Sequence, residues 1–357
     1  MRVAVDIGFG FVKVMTEHGK RTMFPSLVKN RIETGLKAII GGKQDDYAIT
    51  YWEVQNDNSN EKMNLRKCYV GDASLTNGAD RNWEDKNQFN ADDLKLLITT
   101  AVGLVNPNNE EIDLCVGLPM SYFIEMKDKL EEILKNINSR ILISGIEKER
   151  IVKFKSIFTF PQGAGAYWSA ILNTDGKTKN LELAGKTVGV IDIGYRTVDY
   201  LVMRKGRTGI NMIEEMSGSL EDDGMNRVYQ DIGLALQNNG LGNVELTEIE
   251  KAILWFGSQL DILGEEINLI NYEEKAYKER AESIASKIKR KWGKQEETIS
   301  TVLITGGGGK TLFEYLEDKF KQAKLQDNED KNDEEFASYA NCAGYLGIQA
   351  RKMRRSV

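Results

Sequence analysis

The sequence predicts an α/β protein made of two copies of one domain, each a mixed sheet flanked by helices, and three observations predict it. The stretch DIGFGFVKV at residues 6–14 returns as DIGYRTVDY at 192–200, each copy after an apolar run and each followed by a Gly turn, at Gly19 and Gly206. A strand–loop–helix pattern at 112–134 (DLCVGLPMSYF onward) returns at 301–320 (TVLITGGGGKTLF onward). The small-residue stretch GAGAYWSAIL after Pro161 returns as ANCAGYLGIQA after Tyr339. One repeated turn could be coincidence. Three pairs in the same order are a duplication.

Taken along the chain, residues 3–7, 11–15 and 21–24 read as three short strands joined by Gly turns. Residues 29–90 are less regular, with Trp52 and Trp83 set among polar residues. They are read as an inserted subdomain, because a structureless loop of that length is uncommon in a compact protein. Periodicity and an acidic first turn predict a helix over 91–105, and 122–134 reads as an amphipathic helix. Between them 112–117 is a buried-type strand stopped by Leu118-Pro119, and 151–160 is β-rich. The second half starts near Thr187 with the repeated hairpin, followed by a Gly- and Asp-rich turn, MSGSLEDDGMNRV. Helices are expected from about 247 to 256 and from 273 to 292. A strand at 301–305 runs into Gly306–Gly309, with a helix at 312–320 behind the glycines. Residues 326–335 read as a charged surface loop, and a small-residue helix closes the chain. The predicted division is domain I at 1–165 plus 337–357, with its insert at about 29–90, and domain II at 166–336, with its insert at about 215–298.

Bulk properties narrow the function. A chain of 357 residues is long for a single core, which agrees with two domains. Its 41% hydrophobic and 29% charged content is that of an ordinary soluble globular protein. No apolar run approaches the ~20 residues needed to span a bilayer. Met1 leads straight into a strand, so no signal peptide and a cytoplasmic location are expected, with no membrane contact. Cys68, Cys115 and Cys342 are odd in number and lack metal-ligand spacing, so they read as reduced thiols. His18 is the only histidine, which excludes multi-histidine metal sites and disfavours a Ser-His-Asp triad. The net charge of −6 argues against direct binding of nucleic acid, and the basic tail at Arg351, Lys352, Arg354 and Arg355 reads as a solvated terminus.

The repeated turns suggest phosphate chemistry. A strand ending in Asp and running into a Gly turn brings backbone amides together where no Cβ blocks approach, and such concavities bind phosphate. The turns are Gly8, Phe9, Gly10 in the first copy and Gly194, Tyr195, Arg196, Thr197 in the second. Asp6 and Asp192 cannot hold phosphate themselves, since like charges repel. They can hold the water shell of Mg²⁺, which takes a carboxylate or two plus waters. Lys13 lies on the returning strand and can neutralise a phosphate oxygen. Gly306, Gly307, Gly308 and Gly309 form a third contact, where bare backbone can lie against a flat base or an α-phosphate.

In this order the motifs resemble the five signatures of the actin-type ATPase superfamily. DIGFGFVKV and DIGYRTVD look like its two phosphate motifs, FPQGAGA and ANCAGYLG like its two connectors, and ITGGGG like its adenosine motif. GLPMSYF at 117–123 is similar to the corresponding stretch of the ParM/Alp-type plasmid-segregation actins. The resemblance implies an actin-like (ribonuclease H-like) fold with a nucleotide cleft between the domains. It implies that Gln162 orients the attacking water, that Asp192 belongs to the Mg²⁺ shell, and that Asp6 and Asp192 share the catalytic work. It matches Thr197 to a phosphate-contacting hydroxyl and Asp199 to a structural acid, and it makes Asp222, Asp223 and Gly224 candidates for the ribose neighbourhood. Two departures stand out. Phe9, Gly10 and Phe11 occupy positions where many relatives carry Ser or Thr, so backbone amides must do more there. Tyr195 and Arg196 replace small residues, and Arg196 is read as reaching a phosphate or, preferably, pointing to solvent.

The function so implied is an ATPase, with ATP (or GTP) and Mg²⁺, that polymerises head-to-tail under nucleotide control and moves plasmid DNA through a separate DNA-binding adaptor. A small-molecule or sugar kinase of the same superfamily is the first alternative, though Gln162 stands where such an enzyme would want a carboxylate base. A non-polymerising nucleotide switch is the second.

Overall fold

The computed structural model describes residues 1–31, 47–54, 63–79, 91–120, 123–207, 209–320, 322–326, 333 and 335–355. The chain divides into two compact units, one made of Met1–Leu118, Tyr122–Phe160 and Ile348–Val357, the other of Pro119–Ser121 and Pro161–Gly347. These limits fall a few residues from the predicted boundaries at the first connector and some ten residues from them at the second.

In the first unit the chain runs through β1 (Arg2–Ile7), β2 (Phe11–Thr16), β3 (Arg21–Pro25), β4 (Val28–Asn30), β5 (Ala48–Glu53) and β6 (Met63–Val70). It continues through α1 (Asp72–Thr76), α2 (Ala91–Val105), β7 (Ile112–Leu118), α3 (Phe123–Lys135), β8 (Asn138–Ile143) and β9 (Arg150–Pro161). The strands form one sheet in the order β3-β2-β1-β7-β9-β8-β5-β6-β4. The predicted insert therefore carries three strands that extend this sheet beyond β8. Trp52 is buried there on β5. Trp83 lies outside the described residues. Helices α2 and α3 bury one face each, through residues such as Leu97, Ala101, Leu130 and Leu134, in a core shared with Val3, Val5 and Leu114. Burying such side chains stabilises by roughly 1.5–3 kcal/mol apiece.

The second unit contains α4 (Ala164–Ile171), α5 (Leu181–Ala184), β10 (Val188–Ile193), β11 (Val198–Lys205), β12 (Ile210–Met212) and β13 (Gly218–Leu220). It continues with α6 (Met225–Asn238), α7 (Leu246–Trp255), β14 (Gln259–Ile262), β15 (Glu265–Asn268), α8 (Ile270–Trp292), β16 (Thr301–Thr305), α9 (Gly307–Leu316) and β17 (Ala323–Leu325). The last helix, α10 (Phe336–Arg355), belongs to this unit as far as Gly347. The sheet order is β12-β11-β10-β16-β17, with β13 also paired to β11.

Register shows the duplication directly. In the first unit Asp6 faces Lys13 across an antiparallel pair and Gly117 across a parallel one. In the second Asp192 faces Asp199 and Thr305 in the same two senses. Both aspartates are thus penultimate residues of a central strand, flanked by an antiparallel hairpin partner and a parallel crossover strand. The expectation of two mixed sheets flanked by helices holds.

Three elements differ from the sequence reading. Helix α6 begins inside the stretch read as a Gly- and Asp-rich turn and was not predicted, and the hairpin β14–β15 was missed. Helix α9 starts inside the glycine run rather than behind it, where packing against Ile193 and Met225 leaves no room for a side chain at Gly308 and Ile304 leaves little at Gly309. Tertiary contact outweighs the poor helix propensity of glycine. Most of the charged loop at 326–335 lies outside the described residues.

Cys68, Cys115 and Cys342 are all buried, and none is joined in a disulfide. Burial pushes the Cys68 thiol up to about 11 and the Cys115 thiol further. Since the thiolate is the reactive species, a disulfide reagent at pH 8 should label none of the three in the folded protein and all three after urea unfolding. Rapid labelling of Cys68 or Cys115 without denaturant would contradict their placement.

Candidate functional site

The two Gly turns are held from behind by different means. In the first unit the Gly8 N–H closes the turn on the Phe11 carbonyl at 3.1 Å. Ser26, 7% exposed, sits behind it: its hydroxyl donates to the Gly8 carbonyl at 2.6 Å and its N–H to the Gly10 carbonyl at 2.9 Å. In a trans peptide a carbonyl and the following N–H point in opposite directions. With Gly8 and Gly10 carbonyls turned toward Ser26, the N–H groups of Phe9 and Phe11 are turned the other way. Asp6 is 3% exposed, and the Lys13 ammonium lies 3.8 Å from its carboxylate.

In the second unit the equivalent closure is Gly194 N–H to the Thr197 carbonyl at 2.9 Å. Here the backing is the start of α6. Met225, Asn226 and Gly224 donate their N–H groups to the carbonyls of Gly194, Tyr195 and Arg196 at 3.2, 2.8 and 3.0 Å. No side chain caps α6, so the turn carbonyls satisfy helix-end donors that would otherwise be orphaned. By the same peptide geometry the N–H groups of Tyr195, Arg196 and Thr197 all face away from α6. That concentrates three amide dipoles in one direction, a concavity suited to an anion. Gly224 is required by this contact, since a Cβ there would lie 2.4 Å from the Tyr195 carbonyl oxygen.

Tyr195 and Arg196 contribute backbone rather than side chain to this concavity. The Tyr195 hydroxyl reaches the buried Glu250 on α7 at 3.3 Å, and its ring packs on Tyr229. Arg196 does not point to solvent: it is 6% exposed, with Nε donating to Asp222 at 2.9 Å. A guanidinium so deep in the unit is retained because a carboxylate pairs with it. Thr197 and Asp199 are buried beside the turn.

Asp192 is 8% exposed and sits among three elements of its own unit. One carboxylate oxygen accepts from the Asn341 side-chain amide at 2.7 Å. The other faces Gly306, whose backbone (φ 84°) approaches so closely that a Cβ would lie 2.5 Å from it. Gly306 precedes α9, and Gly307–Gly309 form the first turn of that helix. Gln162 is 7% exposed, immediately before Gly163 and α4.

Asp223 is 6% exposed and is held by two cations of α8, Arg280 at 2.9 Å and Lys287 at 2.6 Å. Arg280 also binds Asp231 at 2.8 Å. A ligand approaching this spot would meet the two cations as well as the carboxylate. Sequence reasoning passed over Ser26, Asn341, Arg280 and Lys287. A lone Asn among the small residues Ala340, Cys342, Ala343 and Gly344 was the available signal for Asn341.

Among the described residues no group of three or more His, Cys, Asp or Glu side chains could enclose a metal ion. Isolated buried carboxylates beside amide concavities fit Mg²⁺, which keeps most of its waters and shares itself with phosphate oxygens. No helix among the described residues is long and apolar enough to cross a membrane.

Comparison with known proteins agrees with this architecture. A family model of the N-terminal domain of actin like proteins matches residues 4–165. A model of the C-terminal domain of the archaeal actin homologue MreB-like proteins matches residues 190–318. Among solved structures, a non-polymerisable quadruple mutant of pCBH ParM is 25% identical, with 98% of each chain covered and a TM-score of 0.76. A 15-stranded ParM filament from Clostridium botulinum is also 25% identical, covers 98% of this chain and 99% of its own, and has the same TM-score of 0.76. The archaeal actin homologue Ta0583 in complex with ADP shares the fold at 18% identity, with 98% and 99% coverage and a TM-score of 0.69. No curated protein matches the chain by sequence.

The backing of the second turn is directly testable. Gly224→Ala should force α6 away from the Tyr195 carbonyl and lower stability by about 1–3 kcal/mol in urea titration, the usual cost of overpacking. An unchanged midpoint would contradict the contact.

Proposed function

For a chain that belongs to the actin-like proteins, we propose nucleotide-dependent filament formation: it binds Mg·ATP on its two Gly turns, hydrolyses it, and assembles or disassembles accordingly. The observation that carries this reading is the anchoring of the turn carbonyls. It leaves the amides of residues 195–197 aimed one way, beside a buried carboxylate. Oriented dipoles of this kind hold phosphate without rearrangement.

Each residue then has a defined task. The amides of Phe9, Phe11, Tyr195, Arg196 and Thr197 hold phosphate oxygens, and Lys13 neutralises their charge. Asp6 and Asp192 hold water in a metal's shell. Bound Mg²⁺ would supply neutralisation of charge on the transferred phosphoryl group. The Gln162 amide, which can both donate and accept, orients the attacking water; it contributes by positioning, not by basicity. Gly306–Gly309 lie against the nucleoside side of the ligand, and the Asp223, Arg280 and Lys287 cluster lies toward its ribose.

Filament assembly is supported by whole-chain similarity to a protein solved as a ParM filament. Head-to-tail contacts between identical subunits generate open helices, and a difference in subunit shape between nucleotide states would govern them. A role in plasmid segregation follows from kinship with ParM, with a DNA-binding adaptor carrying the cargo. The net charge of −6 agrees with a chain that leaves DNA to a partner.

Right-angle light scattering on addition of ATP and Mg²⁺, followed by pelleting, tests the proposal. The wild type should scatter and sediment, and Gln162→Ala should assemble while releasing phosphate at least about tenfold more slowly, the scale of a lost positioning group. A flat trace accompanied by turnover would point to a small-molecule kinase or a monomeric switch instead.

A further inference from the structure

Asn341 has no part in the tasks assigned above, yet its side chain is among the most constrained in the second unit. It is 5% exposed on α10. Its Oδ1 accepts from two backbone N–H groups of the first connector, Gly163 and Ala166, both at 3.1 Å. Its Nδ2 donates to the Asp192 carboxylate at 2.7 Å. These three bonds allow one orientation only. A flipped amide would set NH₂ against two N–H donors and a carbonyl oxygen against a carboxylate, repulsive at both ends.

The backbone beneath this side chain is equally fixed. A Cβ on Gly165 would lie 2.6 Å from the Asn341 carbonyl oxygen, and one on Gly344 only 1.8 Å from that of Gly165. Helices α4 and α10 therefore meet at backbone contact, with Asn341 at the crossing. The residue before Gly163 is Gln162. One short amide thus sets the Asp192 carboxylate and the Gln162 backbone in mutual register.

We propose that Asn341 is the positioning residue of the hydrolytic step, acting through Asp192 and Gln162 and touching neither nucleotide nor water. The inference rests on the function proposed above. A charge-assisted hydrogen bond is worth enough that its loss slows a step dependent on that carboxylate by about 10- to 100-fold. Bonds that serve only to pair two helices would instead move stability and leave the rate of the folded protein alone.

A double-variant cycle separates these roles. Single-turnover ATP cleavage is measured for wild type, Asn341→Ala, Gln162→Ala and the double variant, with ADP affinity measured in parallel and folding checked by thermal melting. Asn341→Ala should cleave about 30-fold more slowly, with ADP affinity within about threefold of wild type. In the Gln162→Ala background the same change should cost less than it does alone, because the part acting through Gln162 is already lost while the part acting through Asp192 remains. Cleavage near the wild-type rate, or full multiplication of the two losses, would overturn the assignment. Asn341→Asp covers the case in which the alanine variant does not fold. It keeps an acceptor for Gly163 and Ala166 but offers Asp192 a carboxylate instead of a donor. It should cleave no faster than about one-tenth of the wild-type rate, and a rate near wild type would also overturn the proposal. A wild type that binds ADP but never cleaves ATP would instead refute the proposed function itself, and this inference with it.

Discussion

The structure depends on a rule of peptide geometry: a trans peptide cannot aim its carbonyl and the next N–H in the same direction. To present amides to an anion, a turn must place its carbonyls somewhere behind, and buried carbonyls need donors. The chain meets that requirement twice with different materials. Behind the first turn stands Ser26, which serves two carbonyls with its hydroxyl and its own N–H. Behind the second stands the start of α6, whose three N–H groups need acceptors as much as the turn needs donors. That reciprocity explains why α6 begins at a glycine with no side-chain cap. The first turn, which carries no hydroxyl of its own, is held instead by a serine 18 residues beyond Gly8.

The second constraint is closeness. Gly306 against Asp192, Gly224 against Tyr195 and Gly165 against Gly344 are contacts in which any Cβ would collide with backbone or carboxylate. They bring the second Gly turn, the first connector, the last helix and the glycine-rich helix of the second unit together around one buried carboxylate. At such distances small displacements are not absorbed by side-chain rotation, because packed interiors deform little. Asp192 is consequently held by its surroundings from both sides, with Asn341 on one oxygen and the Gly306 backbone facing the other.

Much of this was legible in the sequence, and the rest was hidden for identifiable reasons. The repeat of D-I-G at Asp6 and Asp192 was visible because a central strand and its hairpin leave a local pattern of apolar run, Asp and Gly. The strands β1, β2, β3, β7 and β16 and the helices α2 and α8 follow from apolar runs, Gly turns and helical periodicity. Helix α6 did not, since Glu221 to Gly224 reads as a turn and the true cap lies in a loop some thirty residues earlier. Helix α9 was placed too late because glycine propensity argues against a helix, and only packing on Ile193 and Met225 explains it. The burial of Arg196 was beyond local reasoning as well, for its partner Asp222 comes close only when α6 docks on the turn. Asn341 stood inside a motif that was recognised, but the bond that gives it a role spans far-separated parts of the chain.

The two turns are alike in closure and register yet unlike in backing, and this asymmetry is what the duplication has left for separate tuning. The central claim is that both present amides, not carbonyls, to the phosphates of a bound nucleotide. A crystal structure with Mg²⁺ and ADP tests it most directly. Phosphate oxygens should lie about 3 Å from the N–H groups of Phe9 or Phe11 and of Tyr195, Arg196 or Thr197, with Asp192 still on Asn341. Phosphates bound elsewhere on the chain, or turns whose carbonyls have swung round to face them, would contradict it.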